Sequence, residues 1–273
     1  MKTRIQTMTM TKTSAGIAAR STARVFGVVA CAASLVFAPA AFADTIKVLT
    51  SGAFKQVVLA FVPAFESETG NKVEVSDGTA GALQKRVDGG EAFDVVVITP
   101  AALARYAETG KVVPSSVATL AKVGAGVGVK AGSLLPEIRT VEQFKQTVLN
   151  ARAVAYIDPA AGGSSGIYLQ GLFERLGIAP QVAAKAVLVQ GGYSAAKLVS
   201  GEADLAIQQI SEILPVAGVT LVGPLPEEIQ NYTSYSGGVG TASAHLAVAQ
   251  AFMSRMTGAG SADVIRSKGM LAP

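Results

Sequence analysis

The chain has one cysteine, one histidine and no tryptophan among its 273 residues, and aromatic residues make up only 6%. Two soft donors are too few for a transition-metal site of the usual kind, so no metal ligands are assigned. A single thiol, Cys31, excludes a disulfide framework. No cofactor is expected. Charge is scarce too, at 15% of residues, and the formal net charge of +4 is unevenly placed. Lys2, Arg4, Lys12, Arg20 and Arg24 all precede the first acidic residue, Asp44. Without those five, 18 Lys+Arg face 19 Asp+Glu, a net of −1 with no basic cluster. The electrostatic footprint of a nucleic-acid binder is therefore missing.

What is there begins with a leader. A positive segment is followed by the apolar run Val25 to Ala38 and by the small-x-small site Ala41-Phe42-Ala43. This is the grammar of a secretory signal peptide cleaved after Ala43. The expected mature chain is periplasmic, starts at Asp44 and has 230 residues, ample for one large core or two smaller ones. The box Val28-Val29-Ala30-Cys31 invites a lipoprotein reading. Only six residues separate Arg24 from Cys31, which leaves almost no apolar region ahead of such a cleavage. No membrane anchor is expected, because no later stretch is continuous enough to span a bilayer.

Strand and helix patterns then alternate. A β-branched run at 46–49 precedes apolar residues at helical spacing from Val57 to Phe65. A strand at 72–75, a short helix at 82–87 and the near-continuous apolar run 92–99 follow, the last as for a strand buried on both faces. Pro100 suits the first turn of a helix over 101–107. The glycine-punctuated strand 120–132 has no helix directly after it and reads as a crossover between lobes. A second unit runs through helices at 141–149, 167–176 and 195–199 and strands at 154–157, 186–189 and 205–209. The segments 219–226 and 229–235 return the chain to a terminal helix at 246–253. The fold class is α/β with parallel sheet. Residues 44–123 and 220–273 are expected to form one lobe and 124–219 the other.

Four loops pair glycine with a small hydroxyl residue just ahead of a helix: Thr50 to Ala53, Gly78 to Gly81, Gly162 to Gly166, and Gly191 to Ser194. Ligands of open α/β sheets sit beyond the carboxyl ends of strands, where helix N-termini point. Bare N–H groups and hydroxyls there attract an anion without a basic side chain. Gly162-Gly163-Ser164-Ser165-Gly166 also fits G-x-S-x-G, and Ser164, Asp204 and His245 follow the hydrolase order. A nucleophile elbow needs a sharp strand-to-helix turn, however, and Asp158-Pro159-Ala160-Ala161 lengthens this one.

The stretches "IKVLTSGAF", "GTAGALQKRVDGGEAFDVVVIT", "IDPAAGGSSGIYLQGLFERLGI" and "GEADLAIQQ" resemble the ligand loops and following elements of the periplasmic molybdate-binding proteins of ABC importers. The resemblance implies a two-lobed type II periplasmic-binding fold with the ligand cleft between the lobes. It implies a monomer that captures a small anion for an ABC permease. Its ligand-binding positions fall on Ser51, Gly52, Thr79, Ala80, Ser164, Ser165, Gly166, Tyr193 and Gln209. The departures matter. Ala53 stands where molybdate binders have a serine, the serines of the second loop are reduced to Thr79-Ala80-Gly81, and Gln209 replaces a tyrosine. A glutamine amide suits a planar carboxylate better than a tetrahedral oxyanion, so an organic di- or tricarboxylate is expected. The chain also resembles bacterial aconitate isomerases on the same scaffold, which move a double bond in an unsaturated tricarboxylate. Such an enzyme needs an acid and a base for an allylic proton shift. Asp158, Tyr193, Glu212 and His245 are the candidates.

Overall fold

A computed structural model of the chain describes residues 43–273; the leader and the Cys31 box lie outside the described residues. The first half is built on β1 (Thr45–Ser51), β2 (Lys72–Gly78) and β3 (Val95–Ile98), mutually parallel around β1. Helices α1 (Lys55–Thr69), α2 (Ala80–Asp88) and α3 (Pro100–Glu108) connect them. All four residues of β3 are buried, as its unbroken Val-Val-Val-Ile run requires of a strand covered on both faces. Pro100 occupies the first turn of α3, where its missing N–H costs nothing.

The long strand β4 (Ala118–Lys130) belongs to two neighbourhoods. Its first part, Ala118 to Gly124, pairs antiparallel with β9 (Tyr232–Val239), which in turn pairs with β3. From Ala125 onward it pairs with β7 (Leu205–Gln209) and β8 (Val219–Pro224). Parallel strands β5 (Val154–Ile157) and β6 (Ala186–Val189) extend that side beyond β7. Helices α4 (Val141–Asn150), α5 (Ser164–Arg175), α6 (Ala179–Ala183) and α7 (Ala196–Val199) accompany it. The one-turn helix α8 (Ile210–Ile213) follows β7, and α9 (Leu246–Thr257) and α10 (Ser261–Ser267) end the chain. Because β8 pairs with the second part of β4, the return to the first half begins after Pro224. The edge of β4 from Gly126 to Lys130 gives β8 its hydrogen bonds.

Each half has its own packing. One core joins Phe54, Val57, Phe65, Phe252 and Met253 over the β1 side, with a smaller one around Leu83, Leu103 and Tyr106. The other half is filled by Phe144, Leu169, Leu172, Phe173 and Ile207. Each fully buried side chain of this size contributes about 1.5–3 kcal/mol.

The glycines of β4 set up the cleft. Gly126 and Gly128 lie two apart and so share one face of the strand. A Cβ at Gly126 would lie 2.7 Å from Ile210 Cγ1, and one at Gly128 would lie 3.0 Å from Ile213 Cγ2. That bare face lets α8 rest directly on β4, which fixes the position of its third residue, Glu212.

Candidate functional site

The carboxyl ends of β1, β2 and β5 meet the end of β7 at one pocket between the halves. From the first half come Ser51 at the end of β1, then Gly52, and Gly78, Thr79 and Ala80 at the start of α2. The second half contributes Ile157, Gly163, Ser164 and Ser165 around the start of α5, Gly192, and Gln209 and Glu212 beside β7. Tyr235 of β9 completes the wall. The pocket spans about 340 Å³ counting its mouth, but only about 20 Å³ of interior admits the centre of a water molecule.

The halves touch across this cleft. Thr79 Oγ1 donates to Ala161 O at 2.5 Å, and Gly81 N donates to Gly162 O at 3.0 Å. Gln56 Nε2 donates to the Tyr193 hydroxyl at 2.7 Å. Gly162 has φ 71°, the left-handed conformation that glycine adopts freely. A Cβ on Gly81 would also lie 2.8 Å from Gly162 Cα, so both positions need glycine for the loops to meet.

Donors without partners face the pocket. The Ser51 hydroxyl is buried and has no hydrogen-bond partner. Leaving such a group unpaired costs about 1–3 kcal/mol, and Ser51 lines the pocket, so its hydroxyl is free to donate there. The hydroxyls of Ser164 and Ser165 likewise make no hydrogen bond to a described residue. They sit in the first turn of α5, which starts three residues before the apolar periodicity at Ile167 suggests. Gly163 is its N-cap and supplies no side-chain acceptor, so the N–H groups of Ser164, Ser165 and Gly166 have no protein partner. These N–H groups and the positive end of a three-turn helix make an anion-attracting corner. No lysine, arginine or histidine lines the pocket.

Two titratable side chains line it, Glu212 and Tyr235. Glu212 is 6% exposed. Burial, more than the nearby Asp77 charge, pushes its carboxyl up to about 8. The Asp77 charge is itself paired with Lys55 Nζ at 2.9 Å. Burial therefore favours the uncharged acid form of Glu212, against a lowering contribution from the Gln208 side chain. The Tyr235 phenol, buried and beside Glu212, is pushed well above its ordinary range. It accepts a hydrogen bond from Gln209 Nε2 at 3.0 Å and keeps its own proton to donate. Gln209 of β7 thus holds the phenol supplied by β9, a pairing that sequence spacing does not reveal.

The other expected site residues lie elsewhere. Asp158 accepts from Ala160 N at 2.9 Å and Gln190 Nε2 at 2.8 Å, stabilising the turn after β5 outside the pocket. His245 precedes α9, with Nδ1 3.4 Å from Asp44 Oδ1, also outside it. Tyr193 joins the cross-cleft contact rather than the lining. Gly166, whose N–H belongs to the corner at the start of α5, is also a spacer: a Cβ there would lie 2.1 Å from Ile157 O, so only glycine lets α5 abut β5. Asp204 accepts from the N–H groups of Arg152 and Ala153, both at 2.9 Å, so Ser164, Asp204 and His245 form no triad. Among the described residues no three His, Cys, Asp or Glu groups come together as metal ligands. No helix among them is long and apolar enough to cross a membrane.

A two-lobed α/β frame closing on neutral donors defines a class, and comparison with known proteins gives it a family. The chain belongs to the bacterial extracellular solute-binding proteins, whose family pattern matches residues 46–271. Within that class it is similar to an aconitate isomerase of Pseudomonas sp., with 32% identity over 232 residues covering 83% of this chain and 87% of the relative. Its fold is similar to the Azotobacter vinelandii periplasmic molybdate-binding protein, with TM-score 0.71, 21% identity, and 84% and 99% of the two chains covered. A sulfate-binding protein from Mycobacterium tuberculosis matches with TM-score 0.65, 18% identity, and coverage of 83% and 86%. The fold is thus the two-lobed type II periplasmic-binding fold.

Proposed function

We propose that the mature chain, freed of residues 1–43 in the periplasm, binds a small organic di- or tricarboxylate as a monomer in this pocket. Ser51, Ser164, Ser165 and the bare N–H groups of α5 receive the carboxylates, and the Tyr235 phenol closes on the ligand from β9.

The observation that carries this reading is Glu212. A fully ionised tetrahedral oxyanion presents acceptors on every side, and sites for it are best built from donors alone. A protonated carboxyl offers one donor and one carbonyl oxygen, and the second would face an acceptor of molybdate or sulfate at close range. A carbon skeleton bearing carboxylates gives that oxygen an apolar or C–H neighbour instead. The loops bond across the cleft, Thr79 to Ala161 and Gly81 to Gly162, so opening it for a ligand breaks those contacts. Hand-over to an ABC permease is the role this class of fold suggests.

A second reading has its own support. Capture alone does not need an acid–base group inside the ligand pocket, whereas an allylic proton shift does. The similarity to an aconitate isomerase points the same way. The test is a thermal-shift series with the mature protein followed by a turnover assay. Trans-aconitate, citrate and tricarballylate should raise Tm by binding the folded state, and molybdate and sulfate should raise it less. A larger shift with molybdate than with any carboxylate would overturn the carboxylate reading. Formation of cis-aconitate from trans-aconitate by protein alone separates enzyme from receptor.

A further inference from the structure

We infer that Glu212 is the group that moves the proton in such an isomerisation, acting as base at one end of the allyl system and as acid at the other. This rests on the enzymatic reading above. Three geometric facts carry it. Glu212 and Tyr235 are the titratable side chains of the lining, so any proton exchanged with the ligand by a side chain passes through one of them. Tyr235 is held as a donor by the amide of Gln209 at 3.0 Å and by its burial. Glu212 is fixed: α8 lies on the bare face of β4, and Glu212 Oε1 sits 2.9 Å from where a Cβ of Gly52 would be.

The reaction balances without a cofactor. The Glu212 carboxylate removes a proton from the saturated carbon flanked by a carboxylate and the double bond. The electron pair of that C–H bond becomes the new C=C bond. The old π pair forms a C–H bond at the far carbon with the proton that Glu212 returns, and Glu212 ends as the carboxylate it began as. Negative charge develops on the ligand carboxylate next to the reacting carbon. The hydroxyls of Ser51, Ser164 and Ser165 and the N–H groups of α5 are available to stabilise it. The charges around Glu212 are few: Asp77 of β2, neutralised by Lys55 of α1, and the phenol of Tyr235 from β9. Activity should therefore rise with pH along one ionisation near 8 in the free protein.

The experiment uses mature wild type, Glu212→Gln and Glu212→Asp with trans-aconitate in D2O, followed by NMR, alongside calorimetric titration. Glutamine keeps the shape and neutrality of the protonated acid, so Glu212→Gln should fold and bind trans-aconitate within about tenfold of wild type. It should lose isomerisation and deuterium uptake at the allylic carbon by roughly 10²–10⁴-fold, and Glu212→Asp should restore part of both. Turnover by Glu212→Gln within about tenfold of wild type would overturn the inference. Wild type that binds trans-aconitate but neither converts nor deuterates it would overturn the inference and the enzymatic reading, leaving the receptor. Wild type that binds no carboxylate would overturn both readings of the pocket.

Discussion

At the scale of single residues, Glu212 is a buried acid whose protonation is tied to folding. In the unfolded chain a glutamate ionises near its ordinary value of 4.5, but in the folded chain it holds its proton up to about 8. The folded state binds the extra proton between those values, so the contribution is complete below the unfolded pKa and is lost as pH rises through the folded one. Tm should fall between about pH 5 and 8, and Glu212→Gln should flatten that fall, an effect of roughly 3–5 kcal/mol at most. A wild-type Tm that is level over this range, or matched by the variant, would contradict the buried acid. The serines of α5 behave differently. Each hydroxyl that donates to a charged ligand contributes ~1.5–3 kcal/mol, so Ser164→Ala and Ser165→Ala should each weaken carboxylate binding by about one to two decades. Labelling of Ser164 by a fluorophosphonate, with binding intact in Ser164→Ala, would instead mark a nucleophile.

Among secondary-structure elements, the cleft depends on glycines that let backbone approach backbone. Gly81 and Gly162 meet across it, and a methyl on either would collide with the other's Cα. Gly81→Ala should hold the loops apart, weaken ligand binding by more than about tenfold and, because the Gly81–Gly162 contact is lost, lower Tm modestly. A variant that binds as tightly as wild type would show that the loops need not meet. The same elements show what the sequence made legible. Val95–Ile98 and Val154–Ile157 could be read because an unbroken apolar run of that length has few alternatives to a buried strand. The start of α5 was hidden, because Ser164, Ser165 and Gly166 carry no apolar periodicity and Gly163 caps without a side chain. Helix α8 spans four residues, too short for any period to register, and Glu212 could be named there without its surroundings being visible. Tyr235 was masked by the strand around it: its place in the pocket depends on β9 lying next to β4 and on the amide of Gln209, both long-range facts.

Taken whole, the protein is a solute-binding protein by family and two-lobed by fold, with an acid placed inside its pocket. The fold is shared with a molybdate-binding and a sulfate-binding protein, so fold alone does not select the ligand and the lining has to. Under the proposed function the neutral donors suit any small anion, and the carboxyl of Glu212 would be what favours carbon acids over tetrahedral oxyanions. The most direct test is calorimetric titration of the mature protein at neutral pH with trans-aconitate and, in parallel, with molybdate. The account predicts that trans-aconitate binds at least about tenfold more tightly; molybdate binding as tightly or more tightly would contradict it.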